Sequence, residues 1–268
     1  MEENNSTEIH RRLAVVTGAS SGIGFELAKI FAVEGFDLVV AAEDVGIMAA
    51  ADKFRECGTR VEALQVDLTT PEGIEKLHSR ILLLNRLDAI AMNAGIAVCG
   101  EFAKTRLEDE LKMIELNVAS IVRLTKKVLP QLIKHKGRIL YTSAIAADMP
   151  GPYHAVYAAT KAFVQSFAEA IRIEVKAQGV TVTSLQPGAT DTNFYARAHM
   201  LDTKAGKSKK DNPADVARDG FDALMAGKDH VVAGSFKNKL QSTMGKLIPD
   251  SVAAKIQAKN VKPDEVRH

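Results

Sequence analysis

The chain has 268 residues, enough for one sizeable core, and its 35 basic side chains nearly balance 33 acidic ones, which argues against a nucleic-acid partner. Cys57 and Cys99 lie far apart without metal-ligand spacing, so we expect neither a metal site nor a disulfide framework. No stretch reaches the roughly 18 apolar residues of a transmembrane segment, and the polar N-terminus lacks a signal core, so we expect a cytoplasmic protein.

An apolar, β-branched run over 13–17 predicts a first strand buried on both faces. It is followed by a turn with Gly18, Gly22 and Gly24, and then by apolar positions at helical spacing up to Gly35. In such a turn the glycines let backbone amides approach a pyrophosphate at the N-terminus of the helix. This order favours a dinucleotide site, although a glycine-rich turn can also be only a turn.

The next two predicted strands end at acidic residues. Strand 37–42 is followed by Glu43, nineteen residues beyond Gly24, where a carboxylate would accept hydrogen bonds from an adenosine ribose. Asp67 follows strand 61–66, at the edge where ligands of open parallel sheets bind. Both residues have a plainer interpretation, Glu43 as a solvated loop charge and Asp67 as a helix cap.

A fourth strand over 87–92 and a long helix over 105–135 follow. Asn117 lies among apolar residues of that helix, where its amide must find hydrogen-bond partners, so it is either a structural bridge or a functional group. Strand 138–142 then places Ser143 at its carboxyl end. This alternation of strands and helices predicts an α/β domain in which helices cover both faces of a parallel sheet.

Tyr157 and Lys161 are four residues apart in a predicted helix that ends at about residue 177, so they share one face of it. A tyrosine ionises near pH 10, and a nearby ammonium group would stabilise its phenolate. The pair alone is a weak signal, because both residue types are common on helix surfaces.

The last third of the chain contains a sixth strand stopped by Pro187, a polar, basic segment over 196–212, a helix over 213–225 and a short strand. The segment 196–212 has no firm periodicity, which predicts a mobile loop. We expect one domain, 13–235, between a polar arm, 1–12, and a basic amphipathic tail, 236–268. The tail has apolar residues at helical spacing, which favour packing on the protein over contact with a membrane surface. These residues are Phe236, Leu240, Met244 and Leu247.

Together, in this order, the motifs resemble those of the short-chain dehydrogenases/reductases over nearly the whole chain. The glycine motif of that family matches Thr17 to Gly24, its adenine-contacting aspartate matches Asp67, and its Asn-Ala-Gly turn matches Asn93 to Gly95. Met92 stands where the family often has a second asparagine. The resemblance implies a single-domain, doubly wound Rossmann-type sheet.

The resemblance also implies hydride transfer between a nicotinamide cofactor and a carbonyl or secondary alcohol. Tyr157 would donate or remove the proton, Lys161 would lower the pKa of Tyr157 and hold the nicotinamide ribose, and Ser143 would bind the substrate oxygen. Asn117 would hold a water that links Lys161 to solvent. The implied cofactor residues are Gly18, Ser20, Ser21, Gly22, Ile23, Gly24, Glu43, Asp67, Leu68, Asn93, Ala94, Gly95, Tyr157, Lys161, Pro187, Gly188, Thr190 and Thr192. The expected substrate residues are Val98, Ile145, Ala146, Met149, Pro150, Pro152, Tyr153, Phe194 and Tyr195.

Two further interpretations stay open. A non-catalytic NAD(P)-binding sensor or scaffold would have the same fold, although it has no need of all four implied catalytic residues. An epimerase or dehydratase of nucleotide sugars usually needs a longer chain with a separate substrate lobe.

The cofactor and the assembly are also predicted. Glu43 at the ribose and serines in the glycine turn favour NAD(H), because a 2′-phosphate would face a carboxylate. NADP(H) stays possible if Lys53 or Arg55 reaches that phosphate.

The helices 105–135 and 157–177 have more apolar positions than one sheet face can cover. In the family such helices pair between subunits, so we expect a homodimer or homotetramer.

Overall fold

Seven short apolar strands form one parallel sheet in the computed structural model, which describes residues 11–235, Asn238, Ser242 and 249–262. The strands are β1 (Leu13–Thr17), β2 (Asp37–Ala42), β3 (Val61–Gln65), β4 (Ala89–Met92), β5 (Arg138–Thr142), β6 (Thr181–Gln186) and β7 (His230–Val232). The helices are α1 (Gly22–Val33), α2 (Gly46–Arg55), α3 (Pro71–Leu83), α4 (Leu107–Ile114), α5 (Ser120–His135), α6 (Ala155–Val175), α7 (Phe194–Arg197), α8 (Lys204–Lys207), α9 (Pro213–Met225) and α10 (Asp250–Val261).

Alternate residues of each central strand face two separate cores. In β1, Ala14 and Val16 pack with residues of α1, α2 and α9, whereas Val15 packs with residues of α3, α5 and α6. Strands buried on both faces need apolar side chains at every position, which explains their continuous apolar runs. The predicted fold, a parallel sheet covered by helices on both faces, is confirmed.

The strand order is β3-β2-β1-β4-β5-β6-β7. Strands β2 and β3 are therefore added on one side of β1, and β4 to β7 are added on its other side. Loops after two such strands run apart and leave a crevice at their carboxyl ends. Thr17 at the end of β1 joins the two sides, because its Oγ1 accepts hydrogen bonds from the backbone N–H groups of Asn93 (3.0 Å) and Ala94 (3.1 Å).

The long helix predicted over 105–135 is interrupted. A π-helical turn, Glu115–Ala119, separates α4 from α5 and contains Asn117. Such turns insert one extra residue per turn and are frequent at functional sites, which periodicity alone does not show.

The segment 196–212 contains some regular structure, which its lack of periodicity did not predict, and its mobility stays a prediction. It includes the end of α7 and all of α8, and the Thr203 hydroxyl accepts the backbone N–H of Gly206 at 2.9 Å, as an N-cap does. The helical spacing predicted for Phe236 to Leu247 falls outside the described residues, as does the arm up to residue 10.

Across residues 11–235 and 249–262, no helix has both the length and the apolar character needed to cross a bilayer. The same residues bring together no group of three or more His, Cys, Asp or Glu side chains that could hold a metal ion.

Thr17→Val tests the link between β1 and β4. The Thr17 side chain is 2% exposed, and valine keeps its shape but leaves two amides without this acceptor. Each buried donor left unpaired costs about 1–3 kcal/mol, so we expect the free energy of unfolding to fall by about 2–4 kcal/mol in urea titrations. Thr17→Ser keeps the oxygen and should cost only about 1 kcal/mol. Equal stability of the two variants would contradict the link.

Candidate active site

The turn between β1 and α1 leaves no room for a side chain at its glycine positions. Gly22 has φ +59°, and a Cβ on it would lie 2.9 Å from Cγ2 of Thr192. A Cβ on Gly24 would lie 2.2 Å from the carbonyl oxygen of Gly18, closer than atoms can approach. Glycine is therefore required on steric grounds, and the backbone at the start of α1 stays open to a ligand.

A cavity of about 850 Å³ extends along the carboxyl ends of the strands. Every predicted cofactor and catalytic residue except Gly24 and Asn117 lines it. The sheet therefore brings together residues that are spread over most of the chain.

The predicted substrate residues divide into two groups. Ile145, Ala146, Phe194 and Tyr195 line the cavity. The others lie outside its lining, and four of them are in the segment between the 3-10 turn Ile145–Asp148 and His154. These are Val98, Met149, Pro150, Pro152 and Tyr153.

At the end of β2, Glu43 pairs with a lysine that the sequence analysis did not identify. Lys112 of α4 places its Nζ 3.1 Å from Oε1 of Glu43, and both side chains are about half exposed. Lys53 and Arg55 form ion pairs near their own helix and do not line the cavity. Lys112 does not line the cavity either, but its ion pair with Glu43 places its charge next to the predicted ribose site.

Two other carboxylates at this end are held by local hydrogen bonds. Asp44 accepts the Ser20 hydroxyl at 2.7 Å and the backbone N–H of Gly46 at 3.1 Å. Asp67 accepts both the backbone N–H (2.9 Å) and the hydroxyl (2.7 Å) of Thr69. These bonds orient the carboxylates, so Asp67 both caps its own turn and lines the cavity.

Tyr157, Lys161 and Ser143 meet at the ends of β5 and α6. The Nζ of Lys161 donates to the carbonyl oxygen of Thr142 at 2.9 Å and lies 5.8 Å from the centroid of the Tyr157 ring. The Ser143 hydroxyl donates to the carbonyl oxygen of Lys161 at 2.9 Å. The serine must therefore rotate its hydroxyl before it can donate to a substrate carbonyl, whereas its lone pairs can accept without rotation.

Burial perturbs the acid-base chemistry of this group. It lowers the pKa of Lys161 to about 8. It raises the pKa of Tyr157 well above the usual value of 10, with a smaller contribution from Tyr195. The main cause of both shifts is the loss of hydration around a charged form. At neutral pH the phenol is therefore protonated and the amine is largely an ammonium ion.

Asn117 links the π-helical turn to the loop after β4. Its Nδ2 donates to the carbonyl oxygen of Ile96 (2.9 Å) and to Oγ1 of Thr160 (3.1 Å), and its Oδ1 accepts the N–H of Ile96 (3.0 Å). A Cβ on Gly95 would lie 3.2 Å from Oδ1 of Asn117 and 3.3 Å from Nζ of Lys161. Asn117 is thus a structural bridge, and it stands directly behind Lys161.

The sequence did not predict two features of the cavity. His154 is 6% exposed, its Nε2 has no hydrogen-bond partner within the described residues, and burial lowers its pKa to about 4. It lies three residues before Tyr157, a spacing that could have identified it. The second feature is α10, whose residues Gln257, Asn260 and Val261 line the cavity, and no local signal marks this contact.

The chain was compared with known proteins. Residues 12–200 match the short chain dehydrogenase family. The Mus musculus dehydrogenase/reductase SDR family member 7B is 30% identical over 241 residues, which cover 85% of this chain and 75% of that protein. Oxidoreductase UcpA of Salmonella typhimurium is 31% identical over 208 residues, covering 76% and 77%. A short-chain dehydrogenase from Sphingobium yanoikuyae in complex with NADPH has a TM-score of 0.77 at 30% identity, covering 82% of this chain and 87% of that one.

The burial of Lys161 predicts a pH dependence of stability. Its pKa is about 8 in the folded protein against an ordinary 10.5. Between these values the unfolded chain holds a proton that the folded protein has lost, so the free energy of unfolding rises with pH. Lys161→Met should lack this rise, which is on the order of 3 kcal/mol. Urea unfolding of both proteins at pH 8 and pH 10.5 measures it, and parallel curves would contradict the assignment.

Proposed function

This chain belongs to the short-chain dehydrogenase/reductase family and is an NAD(P)-dependent oxidoreductase, and we propose that Tyr157 exchanges the proton that accompanies hydride transfer to or from its carbonyl or alcohol substrate. The observation that supports this role most strongly is the meeting of Tyr157, Lys161 and Ser143 in the main cavity. A protonated phenol, a buried cation and a hydroxyl are the groups that reduction of a carbonyl requires.

The residues present fit a nicotinamide dinucleotide. The glycine turn leaves the N-terminus of α1 open to a pyrophosphate, and Glu43 and Asp67 supply carboxylates at the ends of neighbouring strands. When bound, the cofactor supplies or accepts the hydride.

Tyr157 and Lys161 have different roles in the proton transfer. In reduction, Tyr157 donates its proton as negative charge develops on the substrate oxygen, and its raised pKa keeps it protonated until then. The phenolate that remains is stabilised by the ammonium group of Lys161 in a site from which water is largely excluded. In oxidation the same phenolate removes the proton. Ser143 orients the substrate oxygen, and Asn117 supports the loop beside Lys161.

We propose that NAD(H) is the preferred cofactor. Glu43 can accept both hydroxyls of the adenosine ribose, and Asp44 adds a second negative charge nearby. A 2′-phosphate placed there would be repelled, by several kcal/mol at an effective dielectric of about 20. Lys112 weakens this discrimination against a 2′-phosphate, because it neutralises part of the Glu43 charge. The Sphingobium yanoikuyae structure contains NADPH and that of a Burkholderia phymatum short chain dehydrogenase/reductase contains NAD, so this fold is found with either cofactor.

We also propose a homodimer or homotetramer. Leu107, Leu111 and Ile114 form an exposed apolar stripe along α4, at the spacing of one helix face. Phe102 is 66% exposed beside them, and Phe163 of α6 is 37% exposed. A monomer would leave these side chains in water, whereas a second copy would cover them.

The proposed setting is the cytoplasm, with a small-molecule substrate and no nucleic-acid partner. Cys57 and Cys99 are free thiols, as a reducing compartment favours.

Tyr157→Phe tests the acid-base role. The variant loses only the transferable proton and one hydroxyl, so turnover should disappear while the NADH dissociation constant, measured by fluorescence, stays nearly unchanged. Lys161→Ala should impair both, because it removes the cation and a proposed ribose contact. If the phenylalanine variant kept more than about a tenth of the wild-type rate, a loss of only ~1.4 kcal/mol, the role given to Tyr157 would be wrong.

The cofactor preference is tested by comparing kcat/KM for NADH and NADPH on one accepted carbonyl. We expect NADH to be favoured, Glu43→Ala to reduce the ratio, and Lys112→Ala to raise it by roughly ten-fold, about 1.4 kcal/mol. Lys53→Ala removes a lysine paired with Glu56 outside the cavity and should leave the ratio unchanged. A wild-type preference for NADPH would refute the role of Glu43.

The assembly is tested by light scattering at micromolar concentration. The wild-type protein should have the mass of a dimer or tetramer, and Leu111→Asp should shift it towards the monomer because it places a charge in the apolar stripe. Leu83 of α3 is 74% exposed outside that stripe, so Leu83→Asp serves as the matched control. A monomeric wild-type protein would exclude the proposal.

A further inference from the structure

The helix α10 forms one wall of the main cavity. Its buried residues are Ala253, Gln257 and Val261, which recur every four positions and so lie on one face. Val261 packs with Ala97 and Met200 in an apolar cluster that also touches Tyr157, and its carbonyl oxygen lies 3.6 Å from Sγ of Cys99. The face of α10 that carries these residues therefore meets the substrate side of the cavity.

One residue of this face is polar. Gln257 is 5% exposed and lines the cavity, yet its amide makes no hydrogen bond within the part of the chain that the structure describes. Because Gln257 lines the cavity, its amide is available to form hydrogen bonds with a ligand group there. Asn260, three residues on, also lines the cavity and is likewise without a partner among those residues.

A cation lies on the neighbouring helix. Lys204 of α8 lines the cavity, α8 contacts α10, and Lys204 forms no ion pair with any described residue. The acidic residue of the nearby lining, Asp211, is already bound by Nδ2 of Asn238 at 2.7 Å. The wall formed by α8 and α10 therefore presents an ammonium and two amides, and this set of donors matches a carboxylate.

The side of the cavity next to Tyr157 is different. Phe194, Tyr195, Met200 and Ala97 cluster there with Val261, so a ligand that reaches Tyr157 has an apolar body. We propose that the substrate is an apolar oxo acid, or the matching hydroxy acid, whose carboxylate is bound by Lys204, Gln257 and Asn260. The carbonyl at Tyr157 rests on the proposed hydride transfer, whereas binding of the carboxylate can be measured without turnover.

The test compares three probes on the full-length enzyme saturated with NAD⁺, which has no hydride to transfer to a carbonyl group. The first is a medium-chain methyl ketone. The second is the oxo acid that carries a carboxylate in place of the methyl group farthest from the ketone carbonyl. The third is the methyl ester of that acid. Isothermal titration calorimetry should show the acid bound at least ten-fold more tightly than the ketone, and the ester bound like the ketone. Equal binding of acid and ketone, or binding of neither, would overturn the proposal.

Single substitutions test which residues bind the carboxylate of the acid. Lys204→Met and Gln257→Leu should each weaken binding of the acid by about ten-fold and leave binding of the ketone unchanged. Lys255→Met removes the same charge from the exposed side of α10 and should change neither. If Lys204→Met weakened NADH binding as much as binding of the acid, the lysine would serve the cofactor and the proposal would fail. Acid binding without NADH oxidation would instead count against the proposed function alone.

Discussion

The neighbouring position of β1 and β4 is the constraint on which the site depends. Because the strand order reverses there, the loops that follow Thr17 and Met92 diverge and open the cavity. The Thr17 hydroxyl keeps the two strand ends together at their base by holding the amides of Asn93 and Ala94. Every parallel strand ends at the same edge, so each one delivers its following residues to one cavity.

Loss of water is the second organising effect. Burial raises the pKa of Tyr157 and lowers that of Lys161, so the two shifts move the phenol and the amine apart on the pH scale. Both shifts arise mainly from burial, since other segments cover the part of α6 that carries the two residues. Thr142 and Asn117 then give the site its geometry, the first by accepting the Lys161 ammonium and the second by holding the adjacent loop.

The two walls of the cavity have different origins. The wall made by the strand ends lies within residues 12–200, the part that matches the family. The opposite wall comes from α8 and α10, which begin beyond residue 200. Membership of the family therefore accounts for the hydride chemistry, whereas the carboxylate site that we propose depends on residues such as Lys204 and Gln257, which the family match does not include.

The sequence by itself determined the strands, the glycine turn and the Tyr157–Lys161 pair, because each depends on residues close together in the chain: a continuous apolar run, a cluster of glycines or a helical spacing of four. It also indicated Asn117 as a polar residue in an apolar helix, but not the π-helical turn that contains it. Only the tertiary structure decided which distant side chains meet. Lys112 reaches Glu43 across 69 positions and Cys99 meets Val261 across 162. No local pattern predicts such contacts, since they depend on how helices pack once the sheet has formed.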